Sequence, residues 1–218
     1  MKPRVKICCM GSLEEAQLAV SYGANAVGLV SEMPSGPGVI SDELAREIAA
    51  YVPPAVASFL LTSRQSAASI IEHQRLVRAN TLQIVDRLTD GTYKDLREAL
   101  PGIALVQVIH VQDEESLEEA LRVAGEVDAI LLDSGNQRLA VKELGGTGRT
   151  HDWTISRRIV ERASVPVFLA GGLKPENVRE AIEQVRPFGV DVCSGVRTGG
   201  KLDERKLAAF FEQVTSLS

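Results

Sequence analysis

Cysteine is scarce in this 218-residue chain, which holds Cys8, Cys9 and Cys193. An odd, small number argues against a disulfide framework. Adjacent side chains such as Cys8 and Cys9 diverge, and no Cys or His partner follows at short spacing, so no metal site is expected. Basic residues are not in excess: 24 Lys and Arg stand against 29 Asp and Glu, for a net charge of −5. Without a Lys/Arg-rich block, nucleic acid is not an expected partner. No apolar run approaches the ~18 residues of a membrane span. Met-Lys-Pro-Arg-Val leads straight into a strand with no signal-peptide core. The expected location is therefore the cytoplasm, with no membrane partner. No linker or low-complexity segment interrupts the chain, so residues 1–218 are read as one domain.

What is present is regular. Apolar, β-branched runs occur at 4–9, 25–30, 55–61, 80–85, 103–109, 127–132, 165–170 and 188–193. Helical periodicity fills the intervals at 13–22, 41–51, 63–77, 91–99, 114–124, 152–163, 175–185 and 203–215. Ser41 is an expected N-cap, and Asp152, Pro175 and Asp203 are expected helix starts. Eight alternating units predict an α/β protein, a closed (β/α)8 TIM barrel with its active site at the C-terminal strand ends. The structural runner-up, a doubly wound sheet, calls for Gly-x-Gly-x-x-Gly after the first strand, where Cys-Cys-Met-Gly-Ser stands. Two long strand-to-helix loops, 31–40 and 134–151, fall at the catalytic end. The second is the expected lid.

Glycines gather late, in Gly145-Gly146-Thr147-Gly148, Ala170-Gly171-Gly172 and Ser194-Gly195-Val196. Glycine lets backbone N–H groups approach a phosphate, and barrels commonly hold phosphate after strands seven and eight. A phosphorylated small molecule is the expected ligand. In the first strand Val5, Ile7 and Cys9 share one face, and Lys6 and Cys8 share the other. Val and Ile suit the helix layer, so Lys6 and Cys8 are expected to point inward and Cys9 outward, as a small packed hydrophobe. Cys8 and Asp133 both end strands. They lie far enough apart around the ring to flank a ligand as an acid–base pair. Gln83, Gln107 and Asp191 are read as pointing into the barrel and satisfying one another. His110 ends the fifth strand and is read either way, lining the pocket or not. Asp128 is read as structural.

Several stretches in order along the chain resemble the phosphoribosylanthranilate isomerases of tryptophan biosynthesis. They are Val5-Lys6-Ile7-Cys8, Gly23-Ala24-Asn25-Ala26-Val27-Gly28, Leu132-Asp133, Gly145-Gly146-Thr147-Gly148 with Asp152-Trp153, residues 169–178 and residues 190–196. The resemblance implies a barrel without metal or cofactor, monomeric or homodimeric. It implies an Amadori rearrangement with Cys8 as general base and Asp133 as general acid. Gly146, Gly148, Gly171, Gly172, Ser194 and Gly195 would hold the phosphate. Lys6, Gln83, Arg87, His110 and Arg138 are further candidate contacts. The sequence departs from the family pattern at the aromatic end. Loop 31–40 has no arginine for a substrate carboxylate, with Pro37 or Gly38 in its place. Arg197 stands where an acidic residue is usual, and His151 precedes Asp152-Trp153 where Phe is usual. Arg64, Arg87 or Arg138 could supply the missing cation. The alternatives are an isomerase on a related phosphosugar and a non-catalytic barrel that binds a phosphorylated metabolite.

Overall fold

The computed structural model describes residues 2–34, 36–135, 144, 148 and 150–216. Strands and helices alternate as β1 Arg4–Ile7, α1 Leu13–Ser21, β2 Ala26–Val30, α2 Asp42–Tyr51, β3 Ala57–Thr62, α3 Ala67–Val77, β4 Thr81–Ile84 and α4 Tyr93–Ala99. They continue as β5 Ala104–His110, α5 Glu114–Val123, β6 Ala129–Asp133, α6 Trp153–Arg162, β7 Val167–Leu169, α7 Val178–Val185, β8 Gly189–Val192 and α8 Glu204–Thr215. The eight strands form a closed parallel barrel in sequence order. Closure is made by β1 on β8, with Arg4 opposite Gly189 and Ile7 opposite Val192. A single 3-10 turn, Ser194–Val196, and a two-residue hairpin of Arg197–Thr198 with Lys201–Leu202 follow β8.

Local chemistry starts most of the helices. Ser12, Ser41, Ser66, Thr92, Asp113, Asp152 and Asp203 each accept a hydrogen bond from a first-turn backbone N–H, which satisfies an otherwise orphaned donor. Pro175 does not open its helix. α7 begins at Val178 behind Asn177, whose side chain instead accepts from Lys174 N and donates to the Gly172 carbonyl. A repeated polar device ties the strand starts. Asn25, Asn80 and Asp128 stand before β2, β4 and β6, and their side chains accept from the backbone N–H of Val5, Ser58 and Leu105 on β1, β3 and β5. Asp128 is thus structural, and Arg97 pairs with it from outside.

Two apolar layers divide the core. Ile7, Leu29, Leu60, Leu82, Leu105, Leu132, Leu169 and Val190 face the helices. Ala26, Phe59, Leu61, Val106, Val108, Leu131 and Phe168 fill the barrel. Edge-to-face contacts of Phe168 with Phe59 and Phe188 close the N-terminal end. Among the described residues no helix is long and apolar enough to cross a membrane.

Candidate active site

At the C-terminal strand ends a cavity of about 670 Å³, counted with its open mouth, is bordered by Cys8, Gln83, Asp133 and Asp191. Gly148, Gly171, Gly172 and Ser194 border it too, and loop 31–40 contributes Met33, Gly36 and Pro37. Cys8 follows β1 and Asp133 ends β6. Between them around the ring stand β7 and β8, whose following loops carry the glycines.

Lys6 is fully buried beneath the cavity and its ammonium donates to Asp191 Oδ2 at 2.8 Å. The same ammonium lies 5.2 Å from the centre of the Phe59 ring. Burial works against the charge, but Asp191 and Cys8 outweigh it and hold Lys6 above its ordinary range. Room for the lysine head and the thiol comes from Gly28 on the neighbouring strand. A Cβ there would stand 2.6 Å from Cys8 Sγ and 3.2 Å from Lys6 Nζ. Burial pushes the Cys8 thiol up to about 11, against the downward pull of Lys6. Burial also raises Asp133, although His110 nearby and the Ser134 N–H, at 2.6 Å from Oδ1, favour the carboxylate. A raised carboxyl group keeps its proton to a higher pH, as a general acid requires.

The glycine loops need glycine for stated reasons. Gly171 and Gly172 sit at φ 83° and 63°, and Gly148 at 70°, where side chains are costly. Gly195 backs onto the Leu173 carbonyl with no room for a Cβ. His151 lies against Gly171, bonds Ser156 Oγ at 2.7 Å, and is pushed down to about 4 by burial. It is therefore a neutral packing ring, in keeping with the apolar residue usual there. Gly146, Arg138 and most of the expected lid, 134–151, lie outside the described residues.

Four expectations are corrected. Cys9 does not point into the helix layer: it is disulfide-bonded to Cys193, 184 residues away, and lines the cavity. The strand ends at Ile7, and Cys9 adopts φ 64°, so the alternation of extended backbone no longer applies. The scarcity of cysteine therefore did not exclude a disulfide. Gln107 faces outward: Tyr93 Oη donates to it, and it donates to the Ile84 and Asp86 carbonyls. The trio of Gln83, Gln107 and Asp191 is accordingly not formed. Gln83 lines the cavity with its Oε1 unpartnered among the described residues, and Asp191 belongs to Lys6.

The remaining cations separate clearly. Arg87 makes a two-pronged bond to Glu119, both distances 2.8 Å, and with His110 borders a different recess. His110 Nε2 is 3.0 Å from the Val85 carbonyl. Arg197 is buried, paired with Glu15 at 2.9 Å, and donates to the Cys8 and Cys9 carbonyls. Its acidic partner is thus on α1. Arg64 donates to the Ser69 carbonyl at 3.0 Å and borders a recess that shares Met33 with the main cavity. Gly28 and the Cys9–Cys193 pair were not singled out from sequence. A glycine inside a strand was the available sign for the first.

A parallel barrel that brings a thiol and a raised carboxyl group to one cavity beside glycine turns has the parts of a barrel enzyme for acid–base chemistry. Comparison with known proteins gives the particular kind. The family model "PRAI: N-(5'phosphoribosyl)anthranilate (PRA) isomerase" matches residues 5–213, and the chain belongs to that family. The N-(5'-phosphoribosyl)anthranilate isomerase of Methanocella arvoryzae is 38% identical over 212 residues, covering 97% of each chain. That of Methanosarcina acetivorans is 38% identical over 228 residues, covering 98% of this chain and 94% of its own. The Thermotoga maritima enzyme structure superposes with a TM-score of 0.82 at 34% identity, covering 99% of this chain and all of that one. A phosphoribosyl anthranilate isomerase in complex with reduced 1-(o-carboxyphenylamino)-1-deoxyribulose 5-phosphate superposes with a TM-score of 0.79 at 32% identity, over 99% of this chain and all of that one.

Proposed function

We propose that this chain is a phosphoribosylanthranilate isomerase of tryptophan biosynthesis and that Cys8 and Asp133 carry the reaction. The observation that supports this pairing is their placement on one cavity, on either side of the β7 and β8 glycine loops. The substrate phosphate sits against Gly148, Gly171, Gly172, Ser194 and Gly195. Asp133 protonates the ribose ring oxygen as the C1–O bond breaks, leaving a Schiff base. The Cys8 thiolate takes the C2 proton, and the resulting enolamine tautomerises to the ketone. Lys6 favours the thiolate by charge. Asp133, raised by burial, retains its proton to a higher pH than an exposed aspartate. Arg64, beside Met33, is the cation we assign to the substrate carboxylate.

The test is turnover of freshly generated phosphoribosylanthranilate, followed by its fluorescence. Cys8→Ala and Asp133→Asn should each lower kcat by about 10²–10⁴, with the protein still folded. Absence of substrate consumption by the parent at high enzyme concentration would reject the activity. Undiminished kcat in either variant would reject that residue's role alone.

A further inference from the structure

The Cys9–Cys193 bridge has no part in the chemistry just described, yet both of its residues border the same cavity as Cys8. It crosses the closure of the barrel, joining the ends of β1 and β8, with Cα atoms 5.9 Å apart. That separation is ordinary for a disulfide. Cys193 directly precedes the Ser194–Val196 turn. Gly38 of loop 31–40 rests on Cys9, leaving no room for a Cβ. Two segments that border the cavity therefore abut one covalent bond. Cys9 itself stands at φ 64°, a conformation L side chains seldom adopt, and the bridge ties it there.

We propose that Cys9–Cys193 is a reversible redox site, and that thiol–disulfide exchange with a dithiol reductant switches the enzyme between a tight and a slack grip on the phosphate end of its ligand. The two sulfurs differ in access: Cys9 is buried and Cys193 half-buried. A thiolate of the reductant attacks Cys193 Sγ, and the S–S electron pair leaves on Cys9 Sγ, which takes up a proton. The second thiol of the reductant then attacks the reductant's own sulfur in the mixed disulfide and releases Cys193. The bridge gains two electrons and two protons, and the reductant becomes a disulfide. The Arg197 guanidinium donates to the Cys8 and Cys9 carbonyls, which fixes the backbone of Cys9 from the other side. Reduction frees the chain before Ser194 and the support beneath Gly38, and the phosphate turn loses its covalent anchor.

The ligand readout rests on the phosphate position proposed above; the thiol count does not. The full-length protein is equilibrated with graded dithiothreitol and its thiols are counted by alkylation and mass. The oxidised protein should show one thiol, Cys8, only after unfolding, and the reduced protein three. Inorganic phosphate binding by calorimetry and substrate KM should both weaken about tenfold on reduction, within the usual span of coupled sites, with kcat changed less than threefold. Cys9→Gly, which suits the positive φ, and Cys193→Ser should each hold the weak-binding state and ignore dithiothreitol. Three thiols in the air-oxidised protein, a bridge that resists reduction while folded, or equal phosphate affinity in both states would overturn the proposal. Redox-dependent phosphate binding without turnover would instead reject the proposed reaction and leave the redox site standing.

Discussion

Gly28→Ala adds a single methyl group beside the reacting thiol, and the structure sets its effect. Gly28 is not at positive φ, so alanine costs nothing in backbone conformation there and the consequence is steric. The new Cβ would lie 2.6 Å from Cys8 Sγ, 3.1 Å from Cys8 Cα and 3.2 Å from Lys6 Nζ, against 3.4–4 Å for ordinary contact. The sulfur must therefore retreat by roughly 1 Å, a displacement that costs about 10² in rate when it moves a reacting group. The backbone cannot absorb it easily. Cys8 N donates to the Val192 carbonyl at 2.8 Å, and Lys6 is held by Asp191 at 2.8 Å. Overpacking of this kind lowers stability by about 1–3 kcal/mol. We expect kcat to fall about 10²-fold with KM within a few-fold, because the phosphate loops are untouched. Gly23→Ala is the control: nothing lies within 4 Å of its Cβ but its φ is 95°, so it should cost about 1 kcal/mol of stability and leave kcat alone. Fluorescence-monitored turnover and urea unfolding measure both. A Gly28→Ala protein with parental kcat and stability would mean that the Cys8 sulfur does not react from this position.

The pH profile follows from the two directions of shift. Cys8 stands near 11 and Asp133 is raised by burial, and the active form needs Asp133 protonated and Cys8 ionised. kcat/KM should therefore fall on the acid side as Cys8 is protonated and on the alkaline side as Asp133 loses its proton. Asp133→Asn, tested at high enzyme concentration, should abolish the fall that belongs to Asp133; a residual profile of unchanged shape would show that protonated Asp133 is not required. Asp191→Asn removes an anion that raises Cys8, so the pH limb that belongs to Cys8 should move to lower pH; a limb that does not move would break the link between the two residues. Arg64→Ala should raise KM about tenfold or more, as loss of a charged hydrogen bond does, whereas Arg87→Ala, with its guanidinium committed to Glu119, should not. The reverse pattern would move the carboxylate to the other side of the barrel mouth.

Much of the barrel was legible because its strands are short apolar runs separated by helices with ordinary caps. Each of the eight runs overlaps one barrel strand, and Ser41, Asp152 and Asp203 begin helices as read. The faces were harder. A strand of a parallel barrel is buried on both sides, so Val106 and Val108 point inward although the same residue type marks the outer face of β1. Gln107 was misplaced for that reason. Cys9 was misplaced for another: alternation is a property of extended backbone, and φ 64° at Cys9 ends it one residue beyond Cys8. Pairing across 184 residues leaves no local pattern, so the bridge emerges only once β8 lies beside β1.

The Lys6–Asp191 pair is hard to explain by stability. Removing two charges from water costs about as much as their attraction returns, and apolar residues of similar size are often neutral or better in such places. Lys6 is nonetheless fully buried on β1, with Phe59 beside it and Gly28 vacating the space its head occupies. Three strands thus cooperate to hold one ammonium under one thiol. Burial alone would leave Cys8 a neutral, inert group; a fixed cation two residues back is what makes the thiolate reachable. Asp191 in turn keeps that cation charged without itself facing the thiol as closely as the lysine does, since the ammonium stands within hydrogen-bonding reach of both. The arrangement sacrifices packing in β2 and apolar volume in β1 for the charge state of Cys8. A barrel that only bound phosphate through its β7 and β8 loops would have no use for either sacrifice.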